Sequence, residues 1–74
     1  MGNVLQITLA SARVNAGYTQ ELASKELGVT KRTLSNWERG VTMPPAHKID
    51  SICELYGISY NNLIFLPRSS LKAN

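Results

Sequence analysis

Seventy-four residues, 43% of them hydrophobic and 18% charged, supply one small core and exclude a two-domain enzyme. Eight Lys/Arg against five Asp/Glu give a net charge of +3, which favours an anionic partner. The single cysteine, Cys53, excludes an intrachain disulfide, and apolar runs such as Leu63-Ile64-Phe65-Leu66 are too short to span a bilayer, so a reducing cytosol is expected.

Val4, Leu5 and Ile7 at the start show no clear period. Thr8 then serves as N-cap of a first helix running to about Ala16, with Leu9, Ala12, Arg13 and Ala16 at helical spacing and Gly17 as terminator. Thr19 caps a second helix, 20–27, whose inner face is Gln20, Ala23, Ser24 and Leu27, and Gly28 follows it. Thr30 caps a third helix from Lys31 to about Arg39. Leu34 and Trp37 point inward, Lys31, Arg32, Ser35, Asn36 and Arg39 outward, and Gly40 ends it.

Pro44-Pro45 opens a fourth helix with the stripe Ile49, Ile52, Cys53 and Tyr56, closed by Gly57. Ser59 caps a fifth through Leu63, Ile64 and Phe65. The expected fold is all-α, a bundle of five short helices occupying 1–66, with 67–74 a flexible C-terminal tail.

Charge is unevenly placed. Residues 30–48 hold Lys31, Arg32, Arg39 and Lys48 against Glu38, four minus one or +3, whereas 49–66 hold only Asp50 and Glu54, or −2. The basic excess therefore falls on and after the third helix. The second and third helices also have the spacing of a helix-turn-helix. Counting from Gln20, the small Ser24 is fifth, where two helix backbones cross closely. Gly28 is ninth, where the turn needs a positive φ, and Val29, Leu34 and Trp37 at tenth, fifteenth and eighteenth hold the second helix to the first.

Thr19-Gln20-Glu21, Leu27-Gly28-Val29-Thr30, Leu34-Ser35-Asn36-Trp37-Glu38-Arg39-Gly40, a proline-started helix and Tyr56-Gly57-Ile58-Ser59 together resemble the Cro and phage-repressor (XRE-like) helix-turn-helix family, over about residues 7–65. The resemblance implies a lambda-repressor-like domain with its helix-turn-helix in helices 2 and 3. It also implies operator DNA as ligand, a recognition helix in the major groove and a homodimer. Members with a separate C-terminal domain are longer, so a chain of this length matches the minimal Cro-like form. Three positions depart from the family pattern: Leu22 where an acidic or polar residue is usual, Ala23 where a large apolar one is, and Ser24 where alanine is. None lies on the outward face of the third helix.

On this reading Lys31 and Arg32, in the first turn of the third helix, read base edges, since Arg and Lys bond guanine O6 and N7. Two adjacent cations at a helix N-terminus oppose the dipole and point to an external anion. Asn36 can pair with adenine through two bonds or reach a phosphate, and Ser35 lies beside it. The family pattern puts Gln20 on a phosphate. Thr19, Thr30 and Arg39 are further candidate backbone contacts, Arg39 alternatively favouring the C-terminal end of its helix through the dipole, and Thr42 and Lys48 flank the groove. It also makes Arg13 and Glu38 a partly buried ion pair. Leu63, Ile64, Phe65 and Leu66 cannot all turn inward from a short terminal helix, so at least one stays exposed and the four are the expected dimer interface, the alternative being that Phe65 and Leu66 close the bottom of the monomer's core.

Trp37, Cys53 and Met43 read as packing. His47 has no second ligand at metal spacing. No nucleophile-base pair, phosphate loop or paired-cysteine motif is present, so neither enzyme activity nor a cofactor is expected, and no membrane or small-molecule ligand is implied. The function expected is that of a cytoplasmic, nucleoid-associated bacterial or phage regulator, a repressor acting by occupying a pseudo-palindromic operator. The competing reading is a protein-interaction module on the same fold, an antitoxin or anti-repressor.

Overall fold

The computed structural model describes residues 6–65. Four α-helices and a two-stranded parallel sheet follow one another as β1 (Ile7–Thr8), α1 (Leu9–Asn15), α2 (Gln20–Leu27), α3 (Lys31–Glu38), α4 (Ala46–Tyr56), a 3-10 turn (Tyr60–Asn62) and β2 (Leu63–Ile64). Three of the four helices begin on a threonine. Thr8, Thr19 and Thr30 are extended at their N-caps and accept from the backbone N–H of Ser11, Leu22 and Thr33. Each bond satisfies an amide that the helix itself leaves orphaned. Pro45, which is also extended, precedes α4 without a side-chain cap.

The fold differs from five helices at its end. Ser59 makes no side-chain cap bond, and after a single 3-10 turn the backbone at Leu63 is extended, with φ −98° and ψ 139°. Asn61 and Asn62 favour turns over a helix interior, and the β-branched Ile64 favours a pleated surface. β2 then pairs with β1 in the register Ile7 to Leu63 and Thr8 to Ile64. The ambiguous N-terminal stretch thus contributes a strand that joins the two ends of the fold, and β1 runs directly into the cap of α1. Gln6 Nε2 adds a bond to the Asn61 carbonyl at 3.2 Å.

Leu9 and Ala12 of α1, Ala23 and Leu27 of α2, Leu34 and Trp37 of α3, Ile52 and Tyr56 of α4 and Leu63 of β2 form the core. Ile7, Tyr18, Val29, Cys53, Leu55, Ile58 and Phe65 pack around it. Alternation along β2 buries Leu63 and leaves Ile64 38% exposed. Ala16, at helical spacing with Leu9 and Ala12, is not buried with them but forms the exposed C-cap, with Gly17 at φ +89° turning the chain away. Met43 is 57% exposed rather than packed. In the connection between α3 and α4 it is Pro44 that turns inward. Leu22 is half exposed. Among the described residues no helix is long and apolar enough to cross a membrane.

Candidate nucleic-acid interface

α2 turns small residues inward. Ala23 and Ser24 are buried, and Ser24 Oγ donates to the Glu21 carbonyl at 2.9 Å, so the hydroxyl is satisfied within its own helix. Gly28 follows α2 at φ +72°, a conformation that a side chain bearing a Cβ adopts only at a cost. Its N–H donates to Lys25 O and that of Val29 to Ser24 O, closing the end of α2 before Thr30 starts α3. The backbone thereby leaves α2 and enters α3 within a few residues, and the two helices pack against each other.

α3 is two-faced. Leu34, Trp37 and Glu38 are buried, Lys31, Arg32 and Arg39 are exposed, and Thr33, Ser35 and Asn36 are half-buried. Helical spacing places Arg32, Asn36 and Arg39 in one row with Lys31 and Ser35 beside it. No acidic residue lies in the first turn of α3. At the far end Arg39 Nη2 donates to Asn36 Oδ1 at 2.7 Å and Arg39 Nε to Ser35 Oγ at 3.4 Å.

The acid of this helix is turned inside. Arg13 Nε donates to Glu38 Oε2 at 2.7 Å and Arg13 Nη2 to Oε1 at 3.3 Å, while Arg13 Nη1 donates to the Tyr18 carbonyl at 2.8 Å. Gln20 Nε2 donates to Glu38 Oε1 at 2.9 Å. With side chains only 13% and 6% exposed, Arg13 and Glu38 tie α1, the loop after it, α2 and α3 into one polar knot. Its result on the surface is a helix whose only carboxylate is neutralised from behind, leaving a cationic outer row.

A helix-turn-helix family model matches residues 9–63, from the start of α1 to the start of β2. The chain belongs to the XRE/Cro-like helix-turn-helix family. Among curated relatives, the HTH-type transcriptional regulator ImmR of Bacillus subtilis (strain 168) is 36% identical over 56 residues, covering 76% of this chain and 44% of that protein. The chain therefore spans less than half the length of the relative it matches. No solved structure matches it significantly.

Within this helix-turn-helix domain the residues singled out in the sequence separate into groups. Lys31, Arg32, Ser35, Asn36 and Arg39 share the outer side of α3, and Thr42 is exposed just beyond. The Thr19 and Thr30 hydroxyls are engaged as caps, and the Gln20 amide is turned onto Glu38. Of the apolar quartet, Leu63 belongs to the monomer core, Ile64 is exposed, Phe65 is half-buried with its ring 5.8 Å from that of Tyr60, and Leu66 lies outside the described residues, as do 1–5 and 67–74.

Two features had no signal in the sequence. Lys48 is not at the edge of the basic row: it is half-buried, and its Nζ donates to the Leu27 carbonyl at 2.6 Å. A cation there satisfies a carbonyl at the end of α2 and meets the negative end of its dipole, fastening α4 to the turn. Lys48→Met is expected to lower stability by about 1.5 kcal/mol, as for the loss of a charged hydrogen bond, whereas Lys25→Met, on the exposed side of α2, changes little. Urea denaturation of the two variants checks this, and equal midpoints would show that the Lys48 contact contributes nothing.

The other feature is Tyr56, whose hydroxyl is buried with no hydrogen-bond partner among the described residues. Burial first, then the negative Glu38 against the opposing Arg13, and then Tyr18 push its phenol up to about 12. It stays neutral and packs with its ring 6.1 Å from that of Tyr18. Burial, followed by Asp50, likewise pushes the Cys53 thiol up, the opposite of what a reactive cysteine needs.

Proposed function

We propose that the protein is a sequence-specific duplex-DNA-binding transcriptional regulator, a Cro-like repressor that works by occupying its operator in the bacterial cytoplasm. α2, the Gly28 turn and α3 form its helix-turn-helix. The observation that carries the reading is the outer row of α3, three exposed cations and two half-buried amide and hydroxyl groups, with the helix's only acid neutralised from within. Such a row suits the major groove, where Lys31 and Arg32 meet base edges and Ser35 and Asn36 lie one turn deeper along the helix. The backbone N–H groups at the start of α2, beside Thr19 and Gln20, and Arg39 at the end of α3 meet phosphates. The regulator named among its relatives supports the same reading.

One recognition helix reads too few base pairs to select a genomic site, so two copies bind together. Ile64, exposed on the outer side of β2, and the half-buried Phe65 after it provide the surface for an isologous pair, and Leu63 supports it from the core. Two α3 helices about 34 Å apart would then meet half-sites one turn of B-DNA apart. Selection from a pool of random duplexes tests the proposal. The expected product is an enriched pseudo-palindrome with half-sites about ten base pairs apart centre to centre, and a pool that remains random after repeated rounds would overturn it.

A further inference from the structure

Asn36 is held in place twice. Its carbonyl accepts from Val41 N at 2.9 Å and from Thr42 N at 3.4 Å, so the chain leaving α3 fixes the backbone there. Its side chain is fixed by Arg39, whose Nη2 donates to Oδ1 at 2.7 Å while Nε donates to Ser35 Oγ at 3.4 Å. A guanidinium has five N–H donors and no acceptor, so the Asn36 amide must turn its oxygen towards Arg39 and its NH2 away from it. A charged donor makes this bond stronger than a neutral one. Besides the second lone pair of Oδ1, the groups open to an approaching ligand are the N–H donors of Asn36 Nδ2 and those of the guanidinium that the two bonds do not use.

A two-point contact with adenine needs the amide oxygen to accept from N6 while the NH2 donates to N7. In this arrangement one of the oxygen's two lone pairs is used, and the positive guanidinium 2.7 Å away disfavours the approach of the N6 donors. Guanine instead offers N7 and O6, and thymine O4, all acceptors. Building on the DNA-binding reading above, we infer that Arg39 is a specificity-determining residue: by holding Asn36 Oδ1 and placing its positive charge beside it, it biases the second turn of α3 towards donors, favouring guanine or thymine over adenine at the base facing Asn36.

The test is parallel selection from one random duplex pool with the full chain as wild type, Asn36→Ala, Arg39→Met and Arg39→Ala, each first checked for folding by circular dichroism. Asn36→Ala identifies the operator position that Asn36 reads, as the one whose preference disappears. At that position the wild type is expected to enrich guanine or thymine over adenine at least about fivefold, and both Arg39 variants, which free the amide oxygen, to shift the preference towards adenine. Three results would overturn the inference: enrichment of adenine there by the wild type, Arg39 variants that bind every sequence more weakly with the preference intact, or an Asn36→Ala variant whose selected site is that of the wild type. Failure of the wild type to enrich any sequence would instead overturn the DNA-binding reading itself.

Discussion

Glu38→Gln is expected to lower folding stability by on the order of 3 kcal/mol, which for a domain of this size is a fall in melting temperature of roughly 10 °C or more. The reason lies in what remains behind. The guanidinium of Arg13, only 13% exposed, loses the carboxylate that neutralises it, and burying an unpaired charge costs far more than the pair itself contributes. An amide in the same place also brings two donors to a site where Arg13 Nε, Arg13 Nη2 and Gln20 Nε2 already donate, so one of these contacts becomes donor against donor. Thermal denaturation followed by circular dichroism, with the exposed Glu21→Gln as control, checks the expectation. Equal shifts in the two variants would show that the knot between α1 and α3 contributes nothing to the fold.

The second large effect is on binding and carries the opposite sign for stability. Lys31→Ala and Arg32→Ala are each expected to cost roughly 1–3 kcal/mol of affinity for the selected operator and to relax preference at one or two of its positions. Gln20→Ala leaves the backbone N–H groups at the start of α2 in place; it is expected to lower the melting temperature, because its amide supports Glu38, and to leave base preference unchanged, any loss of affinity being the same for all sequences. In the free protein, two cations in the first turn of α3, where no acid balances them, oppose the helix dipole by roughly 0.3–1 kcal/mol each. Their removal should therefore leave the domain as stable as before or slightly more so. Stability given up at one surface for the sake of a ligand is the pattern expected of a binding site. Uniform loss of affinity across sequences for all three variants would mean that readers and phosphate contacts have been assigned wrongly.

Much of this was legible because it is local. A threonine three residues before a helical amide, a glycine after the last turn and an apolar stripe at helical spacing are all short-range signals, and they place α1, α2, α3 and α4 within a residue or two of where they lie. The same signals place Leu34 and Trp37 inside and Lys31, Arg32 and Arg39 outside. What escaped depends on partners distant in the chain. The segment after Ser59 has apolar residues that suit a helix as well as a strand, and only pairing of Leu63 with Ile7 decides it. Lys48 reads as one more flanking cation in the sequence, but α4 brings it to the end of α2, and the Gln20 side chain, expected at a phosphate, is turned onto Glu38. Spacing within a helix carries none of these contacts.

The central claim, that the outer row of α3 binds duplex DNA, is tested most directly by titrating the protein against a fluorescent duplex bearing the selected site, and against a shuffled duplex, over a series of salt concentrations. Log affinity is expected to fall linearly with log salt for both, by about 0.9 for each phosphate neutralised, with the selected site bound more tightly throughout. An affinity independent of salt, or equal for the two duplexes at every concentration, would contradict it.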